Sequence, residues 1–518
     1  MTPSRTGSEA PPMDTLSTPG IMTGAAAREL VVKSLAQSAR AIGASLGPLG
    51  RGLMYGGGSG GPRHANGGLA IARQIAQENG AWSVAPRILR DALWEAQRDL
   101  GDGTARTACI AVAAHAVAAA RVAQGVSPVL LGDAIRRISE KLPGMLDAQR
   151  CPAPGALAIA RAACDDEEVA EAVARISASL SETGAVDVSE SWRPGVRFEQ
   201  FEGYCLDVKP DAIGAGRAEQ GVRLEMDTVH VLVVNEVLDD FGPLARILEQ
   251  FVSRSKSLVV VARGIEGAAR ATLVANRAGL RMHVLGLVPA DAGLHAMKVL
   301  EDLCAVTGAT LVSEETGVSI AGVRPAMLGR AVHLIVEGAR AIFVDPAGPE
   351  RDIAARRALI LAEADAQRYV SLDRERLLRR AARLGCGWGE VRVGGHTAWE
   401  TGQRVDGARA ALAAVRAAAQ QGVVAGGGQA LDALADALPH ALRNEFPDMA
   451  LPVRRAALDA VMSGCRAVAA QIARNAGVEA VSLSIPSDVV DPLLTTLSIV
   501  RRAFSVAATL LTIEVLIC

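Results

Sequence analysis

The sequence predicts a multidomain protein of α and α/β class. A mainly helical domain is assembled from both ends of the chain, and an α/β domain is nested between them. Three observations carry this expectation. Helical periodicity dominates residues 25–142 and 408–508. Between 229 and 336, short apolar runs of strand character alternate with helical patterns. Two glycine-rich turns that each feed a helix, Gly101–Thr104 and Gly426–Gly428, are more than 300 residues apart and fall in the two terminal segments. A length of 518 residues leaves room for about three domains.

Composition narrows the class. Half the residues are apolar but only 3% are aromatic, so the core must be built of Ala, Val, Leu and Ile, in helices that pack closely. A net charge of −2 argues against nucleic-acid partners and anionic membranes. The eight cysteines are scattered, with no C-x-x-C pair and no zinc spacing, as expected of reduced thiols in a cytoplasmic protein. No apolar run suggests a membrane span of roughly 18–20 residues. The first 22 residues are rich in Pro, Ser, Thr and Gly and lack the apolar middle of a signal peptide. They read as a disordered extension, with Met13 and Met22 as alternative starts.

Taken in order, residues 25–44 repeat apolar side chains at helical spacing (Leu30, Val31, Leu35, Ala39, Ile42). They stop at Ser45-Leu46-Gly47-Pro48, where glycine and then proline end a helix. Leu53-Met54-Tyr55 has strand character and runs into the glycine-rich stretch 56–62, a loop or hairpin turn. Helices are expected at 69–75, at 84–100 and, past the Gly-Asp-Gly turn, to about residue 123. Ser127-Pro128 opens another through 142, with proline at the first helical position, where a missing N–H costs nothing. Composition changes around Pro152-Ala153-Pro154, and 165–181 reads as an amphipathic helix with acids in its first turn. Buried strands are expected at 229–234, 258–262, 283–287 and 331–336, with helices at 244–252, 267–278 and 296–307 among them. Charged helical patterns at 354–384 and 408–421 lead to Gly422-Val423-Val424-Ala425-Gly426-Gly427-Gly428. Asp491-Pro492, a helix to 508 and a strand at 512–517 close the chain.

The Gly101-Asp102-Gly103-Thr104 turn is the centre of the functional reading. A tight turn entering a helix presents unpaired backbone N–H groups at the positive end of the helix dipole, which favours phosphate. Asp102 beside a phosphate needs a bridging cation such as Mg²⁺. Plain turn chemistry explains the same residues, and the second glycine turn in the same terminal domain is what raises nucleotide binding beside it.

Ser45-Leu46-Gly47-Pro48, Gly101-Asp102-Gly103-Thr104, the 422–428 turn and Asp491-Pro492 resemble, in order and spacing, the motifs of the bacterial group I chaperonin subunit, the GroEL type. The likeness extends to Glu266-Gly267, Ala271-Thr272-Leu273-Val274, Leu372-Asp373-Arg374-Glu375-Arg376-Leu377 and Ser505-Val506-Ala507. It covers residues 23–518. The resemblance implies a chaperonin fold in three parts. These are a mainly helical equatorial nucleotide domain (23–146 and 422–518), a small intermediate domain (147–195 and 389–421) and an α/β apical domain (196–388). It implies ATP and Mg²⁺, with Ser45, Leu46, Gly47 and Pro48 lining the nucleotide and Asp102 holding the metal. Gly103 and Thr104, followed by Ala105 and Arg106, would stand at the phosphates, and Gly427 and Asp491 on the sugar and base side. Implied partners are unfolded polypeptides, a possible co-chaperonin and a homo- or hetero-oligomeric ring of seven subunits. Tyr204, Leu248, Val252 and Val274 would face the client.

The departures from the family pattern bear on activity. The family's Lys-Asp-Gly triplet is Asn66-Gly67-Gly68 here, and its aspartate twelve residues before the 422–428 turn is Ala410. Both carboxylates that orient water or polarise hydrolysis are therefore missing, and Asp406, one turn before Ala410, is the nearest acid. Two of the three threonines after the Gly-Asp-Gly turn are Ala105 and Arg106. Arg106 could lend charge to phosphate, but solvent is the expected destination of its side chain. Arg270 enters an apical position that is apolar in the family. The expected function is a chaperonin-like protein that binds ATP and assists folding with impaired hydrolysis. The alternative is a non-cycling scaffold, or a modifier subunit of another chaperonin's rings.

Overall fold

The computed structural model describes residues 21–56, 62–65, 67–76, 81–179, 185–209, 224–240, 242, 257–278, 284–366, 371–385, 387–479, 485, 486 and 488–517. The chain divides into two compact units. One joins both ends, to Ala170 and from Arg409; the other is the insertion Glu171–Ala408. The two ends of the chain thus share one unit, and the other is inserted between them.

In the terminal unit, strand β1 (Ile21–Thr23) leads into α1 (Gly24–Gly43), then β2 (Leu53–Gly56), β3 (Pro62–Ala65) and α2 (Gly68–Ile75). Next come α3 (Val84–Leu100), α4 (Thr104–Ala123), α5 (Pro128–Ser139), α6 (Leu142–Asp147) and α7 (Ala156–Ala163). Ser127 caps α5 by accepting from the Leu130 N–H, and Pro128 follows it as the sequence requires. Helix α8 (Glu167–Ser179) carries acids in its first turn. Apolar α4 runs through the middle of the unit, packed by α1, α3 and the late helices, and Ala108, Ile110, Ala111 and Ala114 are buried along it.

The inserted unit is built on a six-stranded sheet of β6 (Tyr204–Asp207), β7 (Leu224–Leu238), β8 (Ser257–Ile265), β9 (Val284–Leu287), β10 (Gly329–Glu337) and β11 (Arg340–Pro346). Their order is β6-β11-β10-β7-β8-β9, with β7, β8 and β9 parallel and the other pairings antiparallel. Alternate residues of the parallel strands serve two cores. Val229, Val231, Val233, Val259 and Val261 face one; Leu232, Val234, Leu258 and Val260 face the other. A side-chain period of two with both faces covered explains why these strands read as unbroken apolar runs. Helix α9 (Gly267–Ala278) covers one face, and α10 (Gly293–Thr307), α11 (Glu350–Ala366) and α12 (Ser371–Arg383) cover the other. A separate three-stranded sheet joins β4 (Ala185–Glu190), β5 (Gly195–Glu202) and β12 (Gly387–Gly394), with β12 in the middle. The helix expected at 244–252, with Leu248 and Val252, lies outside the described residues.

Helix α13 (Ala398–Gln421) starts ten residues before the expected 408, and leads to β13 (Val423–Ala425), α14 (Gln429–Ala441), α15 (Leu451–Ala476), β14 (Val490–Pro492), α16 (Leu493–Leu511) and β15 (Val515–Ile517). Small residues let the late helices close on α4: a Cβ on Gly464 would lie 2.8 Å from the Phe504 ring and 3.2 Å from the Ala114 methyl. Against the reading of the sequence, α4 and α16 are both long and apolar enough to cross a membrane by length and composition. More than half of each is buried inside the unit, as in core helices. The end strands β1 and β15 pair with one another, Ile21 opposite Ile517, and β2 pairs with β3 in a hairpin. The described cysteines are free thiols, Cys109, Cys164, Cys205 and Cys465 among them buried.

Candidate nucleotide site

Helix α3 ends on Gly101 in the left-handed conformation (φ 70°), and Gly103, also left-handed (φ 92°), caps α4. A side chain on Gly103 would be strained, and its Cβ would come within 2.6 Å of Ile499. Glycine is thus required by α16, which follows Asp491-Pro492 and packs directly on the turn. Gly103 offers no side-chain cap to the first N–H groups of α4. Thr107 Oγ1 donates to the Gly103 carbonyl at 2.9 Å and fixes the turn from below.

The second glycine turn is tied to the same place. Val424 of β13 stands opposite Asp491 of β14, so the strand that leads into Gly426–Gly428 carries Asp491 beside it. Gly427 and Gly428 are both left-handed. A Cβ on Gly428 would meet Ala469 N of α15 at 2.8 Å. One turn further along α15, Ile472 lies 3.3 Å from where a Cβ of Gly47 would be. Asn475 donates to the carbonyls of Gly43 and Leu46. The Ser45–Pro48 loop and the Gly426–Gly428 turn therefore rest on successive turns of one helix.

Arg106 is the residue the sequence misled on. It does not point to solvent: its side chain is 11% exposed, its Nη2 donates to Asp102 Oδ2 at 2.7 Å, and its Nη1 is 2.7 Å from Asp491 Oδ1. Burial opposes its charge, but Asp491 and Asp102 outweigh burial and hold its pKa above the usual arginine value. One guanidinium thus fastens the first glycine turn to the strand beside the second. The i, i+4 spacing from Asp102 on a helix start is the signal that could have found this pair. The partner 385 residues further along the chain carried none.

The two lost carboxylate positions flank the turn. A Cβ on Gly68 would be 2.8 Å from Thr104 Oγ1 and from the Ala105 N–H, so Gly67-Gly68 lies against the start of α4. On the other side, Ala413 lies 2.6 Å from where a Cβ of Gly101 would be, and Ala410 is one turn earlier on the same face of α13. Gly67 has open space around its missing Cβ but a φ of 95°, which only glycine adopts comfortably. Asp406 is exposed on α13.

The glycine turns and uncapped N–H groups fit a polyphosphate. The carboxylate expected to hold a divalent cation, Asp102, has one oxygen, Oδ2, taken up by Arg106, which also holds Asp491, so a cation there competes with the guanidinium. Among the described residues no three His, Cys, Asp or Glu side chains converge as a metal site.

The expected client face is divided. Tyr204 is buried in the sheet core and cannot meet a client in this structure, which corrects the expectation. Val274 is 53% exposed on α9, and exposed Arg270 precedes it by one turn on the same face.

The fold is that of a chaperonin. The chain is 31% identical over 512 residues to Chaperonin GroEL 1 of Corynebacterium glutamicum, covering 94% of each, and it belongs to the GroEL-type chaperonin family. Its fold is similar to that of chaperonin gp146 from the bacteriophage EL 2 (Pseudomonas aeruginosa), with a TM-score of 0.65 and 17% identity over 96% of this chain and 99% of that one. A second crystal form of the phage chaperonin gives a TM-score of 0.57. No protein-family model matches the chain.

Proposed function

We propose that this chaperonin binds ATP at the Gly101–Thr104 turn, assists the folding of non-native polypeptides within a cytoplasmic ring, and hydrolyses ATP slowly. The observation that carries the reading is the convergence, within one unit, of the Gly103 cap, the Gly426–Gly428 turn and Asp491. Backbone N–H groups at Thr104 and Ala105 bind phosphate oxygens, Gly103 lets them approach, and the Ser45–Pro48 loop lies along the nucleotide. Hydrolysis needs a carboxylate to orient the attacking water and accept its proton, and the family's two positions for it are Gly67 and Ala410. General-base assistance is worth about 10²–10⁴-fold.

The expected division into a nucleotide part (23–146 and 422–518), a connecting part (147–195 and 389–421) and a client part (196–388) belongs to the same proposal. Val274, with Leu248 and Val252, is the proposed client face. Arg270 makes it weaker than an all-apolar one, because a charge removes burial worth about 25 cal/mol per Å². Ring assembly is supported by the end strands: Ile21, Met54 and Ile517 are each more than 60% exposed on short two-stranded sheets with free edges.

A second reading, a non-cycling scaffold or modifier subunit, is favoured by Arg106, which ties Asp102 to Asp491. Steady-state ATP turnover of the purified chain, alone and mixed with a cycling chaperonin from the same cell, separates the two. Slow turnover with suppression of aggregation of a denatured model protein supports the first. An effect seen only in the mixture supports the second, and turnover at an ordinary chaperonin rate overturns both. Light scattering that finds only monomers, with and without ATP, would overturn the ring.

A further inference from the structure

We infer that the Arg106 guanidinium replaces a divalent cation in this site, so that nucleoside polyphosphate binds without one. The inference rests on the nucleotide reading above. Arg106 is the third residue of α4, in the same first turn as the N–H groups that Gly103 leaves without a side-chain cap. Its Nη2 and Nη1 are each 2.7 Å from a carboxylate oxygen, one of Asp102 and one of Asp491. A cation held between two carboxylates at the mouth of an anion-binding turn does what a bound metal would do there: it cancels negative charge that would otherwise repel phosphate. Guanidinium is suited to the task, because it is always charged and its planar fork has donors left over for phosphate oxygens. A hydrated Mg²⁺ on Asp102 would have to share a carboxylate whose Oδ2 already accepts from Arg106, or displace that largely buried guanidinium and leave it with one partner fewer. Gly67 and Ala410 stand where the family has acids, and the Asp491 carboxylate beside the turn is already paired with Arg106.

The experiment is calorimetric titration of the full-length protein with a non-hydrolysable ATP analogue, once in EDTA and once in excess MgCl₂. Wild type, Arg106→Thr and Arg106→Lys are compared, with folding checked by circular dichroism. Wild-type affinities in the two buffers should agree within about threefold. Arg106→Thr should lose about tenfold or more in EDTA, a difference of about 1.4 kcal/mol, and recover in Mg²⁺ as Asp102 becomes available. Arg106→Lys, which keeps the charge but not the fork, should fall between. Wild type that binds only with Mg²⁺ would overturn the inference and leave the nucleotide reading standing. Wild type that binds in neither buffer would overturn the nucleotide reading itself. Arg106→Thr that binds in EDTA as tightly as wild type would assign the metal independence elsewhere and also sink the idea. Should Arg106→Thr fail to fold, the wild-type and Arg106→Lys titrations decide.

Discussion

Replacing Glu390 by glutamine is expected to weaken the inserted unit by about 3 kcal/mol at neutral pH and far less in strong acid. Glu390 lies on β12, and its side chain is 2% exposed. Arg340, at the start of β11, donates to both of its oxygens, Arg392 donates to Oε2 at 2.8 Å, and Ser189 of β4 donates to Oε1. Burial alone would raise the carboxyl pKa, but these donors outweigh it and hold the value down at about 2, from an ordinary 4.5. A depression of that size corresponds to about 3 kcal/mol favouring the folded, charged form, at 1.36 kcal/mol per unit. Because the folded pKa lies below the unfolded one, this stability is fully present above about pH 4.5 and is lost as pH falls toward 2. Urea unfolding followed by hydrogen exchange at the β12 amides, for wild type and Glu390→Gln at neutral pH and near pH 3, reads the difference. A gap below about 0.5 kcal/mol at neutral pH, or one that does not shrink in acid, would refute the reasoning.

Three further outcomes follow from the geometry. Ala410→Asp should raise ATP turnover by about tenfold or more with little change in nucleotide affinity. The helix cost of Asp over Ala is only about 0.7 kcal/mol, whereas Gly67→Asp carries a backbone strain of about 1–3 kcal/mol and should help less; single-turnover kinetics of each variant checks this. Gly103→Ala should destabilise the terminal unit by about 1–3 kcal/mol through its left-handed φ and the contact with Ile499, and should abolish nucleotide binding; thermal melting and titration with the analogue measure the two effects. Asp302→Asn should cost about 3–5 kcal/mol, since Asp302 is fully buried and holds Arg356 and Arg380 at 2.7 Å each; an equilibrium unfolding midpoint close to wild type would contradict that.

The sequence discloses what local chemistry determines. Leu69, Leu89 and Ile110 recur on buried helix faces, and Val229 to Val234 alternate between two cores, so periodicity alone reaches those elements. The glycine turns were legible because φ above zero leaves few alternatives to glycine. What escaped was long-range. Arg106 meets Asp491 only because β13 and β14 pair, and no local pattern near residue 106 encodes a strand near residue 490. Tyr204 looks like an exposed recognition residue until β11 closes beside it and buries it. Helix α13 begins at Ala398 because Thr397 Oγ1 accepts from the Glu400 N–H, a cap hidden among charged residues.

The pairing of Ile21 with Ile517 has a consequence for biosynthesis. The terminal unit cannot be completed until the ribosome has made the last strand, whereas the inserted unit has all its residues by Ala408. At about 5–20 residues per second, the remaining stretch takes several seconds to emerge. During that interval α1 to α7 must wait without α15 and α16, their apolar faces open to water. The insert, by folding first, draws the two halves of its host together and shortens the loop that must close. For those seconds a nascent chaperonin is itself a non-native chain with exposed hydrophobic surface, the kind of molecule its family exists to hold.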